Sequence, residues 1–76
     1  MITAREKQIL QLIAKEFNCK EIAEELGISI HTVESHRKNL YRKTKAASVV
    51  GLVIYAYNHK YIEVQKYVSK IPADRD

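Results

Sequence analysis

The chain is short of the residues that break or staple a backbone. Its 76 residues include one proline, two glycines, one cysteine, one methionine, one phenylalanine and no tryptophan. A lone cysteine, Cys19, excludes an internal disulfide and any multi-cysteine metal site. It reads as a small, partly buried residue early in a helix, and it fits a reducing compartment, so a cytoplasmic location is expected. So few breakers leave long uninterrupted segments, which favours an all-α fold. No apolar run approaches the roughly 20 residues that span a bilayer. Met1-Ile2-Thr3 does not open a secretory signal, and no membrane partner is expected. There is no glycine-rich phosphate loop, no nucleophile paired with a base and no cluster of carboxylates. Neither His31 nor His36 has a well-placed second metal ligand at helical spacing. The chain is therefore not expected to be an enzyme or to hold a metal or cofactor. Its length, near the lower limit for a self-sufficient core, leaves little room for a substrate cleft.

What the chain does have is charge in one place. The formal net charge is +4. Residues 30–45 carry Arg37, Lys38, Arg42, Lys43 and Lys45 against the single acid Glu34, which by itself gives 5 − 1 = +4. The remaining acids and bases cancel. An excess confined to one short segment is an electrostatic footprint whose usual partner is a phosphate backbone.

That segment has helical spacing. Ile30, Val33, Arg37, Leu40 and Thr44 recur at three and four residues and form one side. His31, Ser35, Lys38 and Arg42 fall opposite, flanked by Glu34, Asn39 and Lys45. Ser29 stands where a hydroxyl caps the first turn. His36 lies at the flank of the buried side and reads as a histidine hydrogen-bonded within the fold. His31, outward in the first turn, is a candidate for a phosphate or base contact.

Upstream, Thr3-Ala4-Arg5-Glu6 has the capping-box form. A helix follows to about Glu16, with Ile9, Leu10, Ile13 and Phe17 as its apolar stripe. Asn18 to Glu21 repeats the device and starts a short second helix to about Leu26, burying Ile22, Ala23 and Leu26. Gly27 is a natural left-handed stop. Two helices joined by a tight glycine turn, the second basic on its outer face, form the helix-turn-helix arrangement. In such a pair the second helix enters the major groove of duplex DNA while the first crosses the backbone.

The residues Ile2-Thr3-x-Arg5-Glu6, Lys20-Glu21-Ile22-Ala23-x-x-Leu26-Gly27-Ile28-Ser29, Thr32-Val33-x-x-His36 and Lys43 resemble the LuxR/FixJ-type helix-turn-helix. The resemblance covers roughly residues 2–57. Glu-Ile-Ala followed by Gly-Ile-Ser also occurs in sigma-factor region 4, but Thr-Val-x-x-His and the apolar fourth helix favour the LuxR type. The resemblance implies the DNA-binding output module of bacterial two-component and quorum-sensing regulators. Thr32 and Lys43 then match positions that hold phosphates, and Glu34, Ser35 and Lys38 match positions that face bases. Arg37, Arg42, Lys45 and the amides near Asn18 and Ser29 are further candidates for phosphates. Lys38 suits guanine O6 and N7. Glu34 either accepts from a cytosine amine or restrains Lys38 one turn on. An N-terminal receiver or sensor domain and RNA polymerase are the partners implied for the whole regulator. The abrupt start reads as an excised output half, with a stand-alone regulator as the alternative.

Three departures matter. The family commonly has glycine where Glu16 stands, a task Asn18 could absorb. Thr44 and Ala46 are smaller and more polar than usual, which is expected to thin the contact between the third and fourth helices. Val49 replaces a basic residue and is expected to remove one phosphate contact.

Ser48 is a candidate cap for a fourth helix over residues 49–57, completing a domain over 1–58. Val49, Leu52, Val53 and Ala56 form a core stripe, and Val50, Ile54 and Tyr57, with Gly51 beside them, form a second. Two coverings compete for that second stripe. One is a homodimer partner, as the resemblance implies, with Gly51 allowing close backbone approach. The other is the chain's own tail, residues 59–76, folding back. Tyr61, Val64, Val68 and Ile71 share a helical face, with Ile62 and Tyr67 nearby, and Pro72 ends any such helix. Tyr61-Ile62 and Tyr67-Val68 also suit a strand.

The reading is thus a four-helix, all-α helix-turn-helix domain that binds double-stranded DNA and regulates transcription, paired as a homodimer. The alternatives are a helix-turn-helix used for protein interaction or dimerisation alone, and a small RNA-binding domain. The latter is disfavoured because no exposed aromatic platform accompanies the basic face.

Overall fold

A computed structural model describes residues 1–63. They form four helices, α1 Ala4–Ala14, α2 Cys19–Leu26, α3 Ile30–Thr44 and α4 Val49–Asn58, with no strand among the described residues. The all-α expectation and the order of elements hold. Val64, Tyr67, Val68, Ile71 and Pro72 lie outside the described residues.

Each helix begins and ends for local chemical reasons. At α1, Thr3 Oγ1 accepts from the Glu6 amide (3.1 Å) while Glu6 Oε1 accepts from the Thr3 amide (3.0 Å). At α2, Asn18 and Glu21 exchange the same pair of bonds at 2.8 Å each. Both are capping boxes, which satisfy amides that a helix start leaves free. Ser29 caps α3 through Oγ, which accepts from the Thr32 amide at 3.0 Å. Ser48 does not fulfil its expected role: it occupies the cap position of α4 without a side-chain hydrogen bond.

Three of the helices stop by one device. A residue takes the left-handed conformation, and the next amide reaches back five residues to a free carbonyl while its apolar side chain folds onto the core. At α2 the residue is Gly27 (φ 69°), followed by Ile28, whose amide bonds Ala23 O at 3.0 Å. At α1 it is Glu16 (φ 70°), followed by Phe17 bonding Leu12 O at 3.1 Å. At α4 it is Lys60 (φ 61°), followed by Tyr61 bonding Ala56 O at 2.8 Å. Two expectations are corrected here. Helix α1 ends at Ala14 rather than near Glu16, and Glu16 itself adopts the glycine-like conformation instead of passing the task to Asn18. A side chain with a Cβ in that region costs about 1–2 kcal/mol, offset by burial of Phe17 against the core.

The core is one cluster drawn from all four helices. Ile9, Leu10, Ile22, Val33, Leu40 and Leu52 are fully buried, with Ile13, Ala23 and Ala56 beside them. Helix α1 packs on both α3 and α4, and α2 packs on α3. The core stripe expected for α4 is only half right. Leu52 and Ala56 are buried, Val53 is half-buried and Val49 is 42% exposed.

Helix α3 meets α4 less extensively than α1 does, as expected, while the turn between them lies close against α4. A Cβ placed on Gly51 would stand 2.9 Å from Ala46 Cβ. Gly51 therefore has a role within the chain, the close approach to Ala46, apart from any partner that meets the stripe beside it.

Beyond α4, the chain turns back onto α1 without continuing as a helix through residue 63. Gln11 Nε2 donates to Tyr61 O at 2.9 Å, and the Lys7 ammonium sits 4.9 Å from the Tyr61 ring centre. Tyr61 and Ile62 are packed against the core. Val50, Ile54 and Tyr57 remain 66%, 54% and 52% exposed, so residues 59–63 do not cover that stripe.

Candidate nucleic-acid interface

Helix α3 is held from beneath and bare above. Val33 and Leu40 are completely buried. His31, Ser35, Lys38, Arg42 and Lys45 are exposed at spacings of four, three, four and three residues, forming one ridge with Glu34 on its shoulder. The 15-residue helix extends about 22 Å. Its C-cap Lys45 takes φ 63° and adds a third cation to the ridge after Lys38 and Arg42. Arg42 is steadied by Asn39, whose Oδ1 accepts from Nη2 at 3.1 Å.

Two of the cations assigned to phosphates are engaged inside the fold. Arg37, on the inner side, donates from Nη1 to Cys19 Sγ at 3.1 Å, and its Nε is buried without a hydrogen-bond partner among the described residues. The Cys19 contact, working against burial, raises Arg37 above its ordinary pKa, so the guanidinium stays charged. Its place is between α2 and α3, away from the ridge.

Lys43 Nζ lies 2.9 Å from both Glu6 Oε1 and Met1 O. The ion pair it makes is nearly out of solvent, the side chains being 23% and 4% exposed. For Glu6, burial alone would raise the carboxyl. The bond from the Thr3 amide and the Lys43 ammonium outweigh it and hold the group below the usual carboxylate range. Lys43 thus ties the C-terminal turn of α3 to the start of α1. Nothing in the sequence marked Glu6 as more than a capping residue, because its second partner lies 37 positions away.

The helix starts differ in what they offer an anion. At α2 the amide of Asn18 is already taken by the Glu21 carboxylate, whose charge opposes a phosphate there. At α3 the Ser29 and Thr32 hydroxyls lie 2.9 Å apart. One proton is used between them, which leaves the other to donate outward. The first turn of α3 carries no acid. His36 is half-buried as expected, although its Nδ1 has no partner among the described residues. No group of three potential metal ligands occurs among the described residues. None of their helices is long and apolar enough to cross a membrane.

This arrangement, a capped short helix, a glycine turn and a basic-ridged second helix, agrees with the comparison to known sequences. Residues 1–56 match the bacterial regulatory proteins of the luxR family. The chain belongs to that family. Over 58 residues it is 48% identical to the transcriptional regulatory protein MctR of Rhizobium johnstonii, covering 76% of this chain and 27% of the relative. Over 63 residues it is 41% identical to the oxygen regulatory protein NreC of Staphylococcus carnosus, covering 83% of this chain and 29% of the relative. The NreC of Staphylococcus aureus is 43% identical over the same length and shares of the two chains. No solved structure matches. The chain spans less than a third of the curated relatives it matches. As a LuxR-family helix-turn-helix domain it is a DNA-binding module of transcription regulation, and both family and relatives are regulators rather than enzymes.

Proposed function

We propose that this LuxR-family domain reads double-stranded DNA by laying α3 in the major groove, as the output part of a cytoplasmic response regulator. The observation that carries the proposal is the bare ridge of His31, Ser35, Lys38, Arg42 and Lys45 above a fully buried Val33 and Leu40. A helix is about 10–12 Å across and the major groove about 12 Å wide, so a ridge that no other described residue covers fits it. His31, Ser35 and Lys38, nearer the N-terminus, face base edges. Arg42, Lys45 and the Ser29–Thr32 hydroxyl pair bind phosphates and supply salt-dependent affinity. Lys43 reaches a phosphate only by sharing its ammonium with Glu6. Arg37 supports the ridge from below.

The exposed Val50, Ile54 and Tyr57 on α4 suit a homodimer contact, which would set two copies of α3 on half-sites about one helical turn apart. A receiver domain on the N-terminal side and a contact with RNA polymerase belong to the whole regulator.

The test is binding of the chain to a pool of random duplexes, with single-stranded DNA and RNA as competitors at two salt concentrations. Duplex preferred over both competitors, with affinity falling steeply as salt rises, is the expected result. Lys38→Ala should change the preferred sequence, whereas Arg42→Ala should weaken all duplexes alike. A chain that self-associates yet ignores duplex DNA at either salt concentration is a protein-interaction module, and the proposal fails.

A further inference from the structure

Glu6 is the buried charged side chain of the described residues, and one of its oxygens ties two helices together. Oε1 accepts from the Thr3 amide at 3.0 Å, closing the cap of α1, and from Lys43 Nζ of α3 at 2.9 Å. Lys43 gives a second N–H to the Met1 carbonyl at 2.9 Å. An ammonium has three donors, so one is left for anything else. The cap does not need the cation. Asn18 and Glu21 close the same kind of box at α2, and no cation pairs with Glu21 among the described residues. Arg42, one residue before Lys43 and about 100° round the helix, is exposed and pairs with no carboxylate among the described residues.

Each cation that neutralises a phosphate releases condensed counterions, and the number of such cations sets both the affinity and its salt dependence. An ammonium 2.9 Å from a carboxylate brings little net charge to a phosphate, and the carboxylate repels that same phosphate. A second effect opposes this one. Holding a lysine in place saves part of the rotamer entropy that binding would otherwise cost. The charge effect prevails here, because two of the three donors already point at the start of α1. A lysine fixed in that direction is organised for the fold and not for the duplex. The two effects also come apart chemically: a neutral amide oxygen in place of the carboxylate would hold the ammonium without cancelling its charge.

Building on the duplex-reading function above, we propose that Glu6 is a positioning residue that limits duplex affinity by holding the Lys43 ammonium at the start of α1 and away from phosphate. The start of α1 and the nucleic-acid backbone then compete for one cation. By linkage, whatever opens the Glu6–Lys43 pair strengthens duplex binding, and duplex binding weakens the pair by the same factor. Residues 1–6 become a place from which affinity can be raised or lowered without touching the ridge of α3.

The test is titration of wild type, Glu6→Gln, Lys43→Met and the double variant on one selected duplex over a range of salt concentrations. Glu63→Gln, at an exposed site beyond α4, controls for the change in net charge. The amide oxygen of Glu6→Gln still accepts both bonds, so thermal melts should show it folded at the assay temperature. It should bind about 2- to 5-fold more tightly than wild type at low salt, the range of one solvent-accessible ion pair. Its log affinity should fall with log salt more steeply by about 0.9, as for one more phosphate. Lys43→Met should leave wild type near its own affinity and should cancel the gain of Glu6→Gln. An unchanged or lower affinity in folded Glu6→Gln overturns the proposal, as does a gain that survives Lys43→Met or that Glu63→Gln reproduces. Should Glu6→Gln not fold, Lys43→Met and Arg42→Met decide in the wild-type background. Equal losses of affinity and salt dependence then overturn the proposal, and a loss confined to Arg42→Met upholds it. Failure of the wild type to prefer duplex over single strand overturns the duplex-reading function itself, and the role of Glu6 in it.

Discussion

Removing the Glu6 carboxylate should weaken the whole domain rather than one surface of it. Glu6 accepts from the Thr3 amide at 3.0 Å and from Lys43 Nζ at 2.9 Å, with its side chain 4% exposed. Glu6→Ala breaks half of a capping box, worth about 1 kcal/mol. It also strands Lys43, whose loss of a partner would cost about 3–5 kcal/mol if fully buried. Lys43 keeps 23% of its side chain in solvent and can swing outward, so the larger figure does not apply. A total near 2 kcal/mol follows from the cap and a small residue of the pair. For a domain of this size that lowers Tm by roughly 8–16 °C.

The pH dependence has a definite sign. Folding depresses the Glu6 pKa, so the folded state binds its proton less readily than the unfolded chain does. The stabilisation is fully present above the ordinary carboxylate pKa of about 4.3 and is lost as pH falls through the lower folded value. Thermal melts of wild type and Glu6→Ala, followed by circular dichroism from neutral to strongly acid pH, should therefore converge on acidification. Equal Tm values at neutral pH, or a gap that stays constant into acid, would refute the reasoning.

Other substitutions probe the turns and the free face. Glu16→Gly removes a Cβ from a residue at φ 70° and should raise stability by about 0.5–1 kcal/mol in denaturant titration, after the greater freedom of glycine in the unfolded chain is subtracted. Gly51→Ala sets a methyl 2.9 Å from Ala46 Cβ and 3.4 Å from its Cα, where neither neighbour is a flexible chain end. It should cost about 1–2 kcal/mol in the same assay. Ile54→Glu places a charge in the middle of the exposed α4 stripe. It should abolish the proposed dimers in sedimentation equilibrium and leave the monomer's Tm within about 4 °C, since a surface change usually alters stability by about 0.5 kcal/mol or less.

Much of this domain could be read before any coordinates. The capping residues Thr3, Asn18 and Ser29 announced where three helices start, because their chemistry is local. Gly27 announced one stop for the same reason. The stops at Glu16 and Lys60 were hidden, since a left-handed glutamate or lysine has no sequence signature. They become explicable only when Phe17 and Tyr61 are seen folding onto the core. Charge patterning located the ridge of α3 but could not tell free cations from engaged ones. Lys38 and Lys43 look alike in sequence, whereas Lys43 is claimed by a carboxylate 37 positions away. Helical periodicity put Val49 and Val53 on the core stripe of α4, but it cannot tell how far the neighbouring helices reach over that stripe, and only Leu52 and Ala56 are fully covered.

The most direct measurement is the backbone amide chemical-shift map of the chain on addition of a selected duplex. Shifts concentrated at His31, Ser35, Lys38, Arg42 and Lys45, with Val50 and Tyr57 unchanged in an Ile54→Glu background, are what a groove-reading α3 predicts. Shifts that avoid α3, or that spread evenly over all four helices, would contradict it.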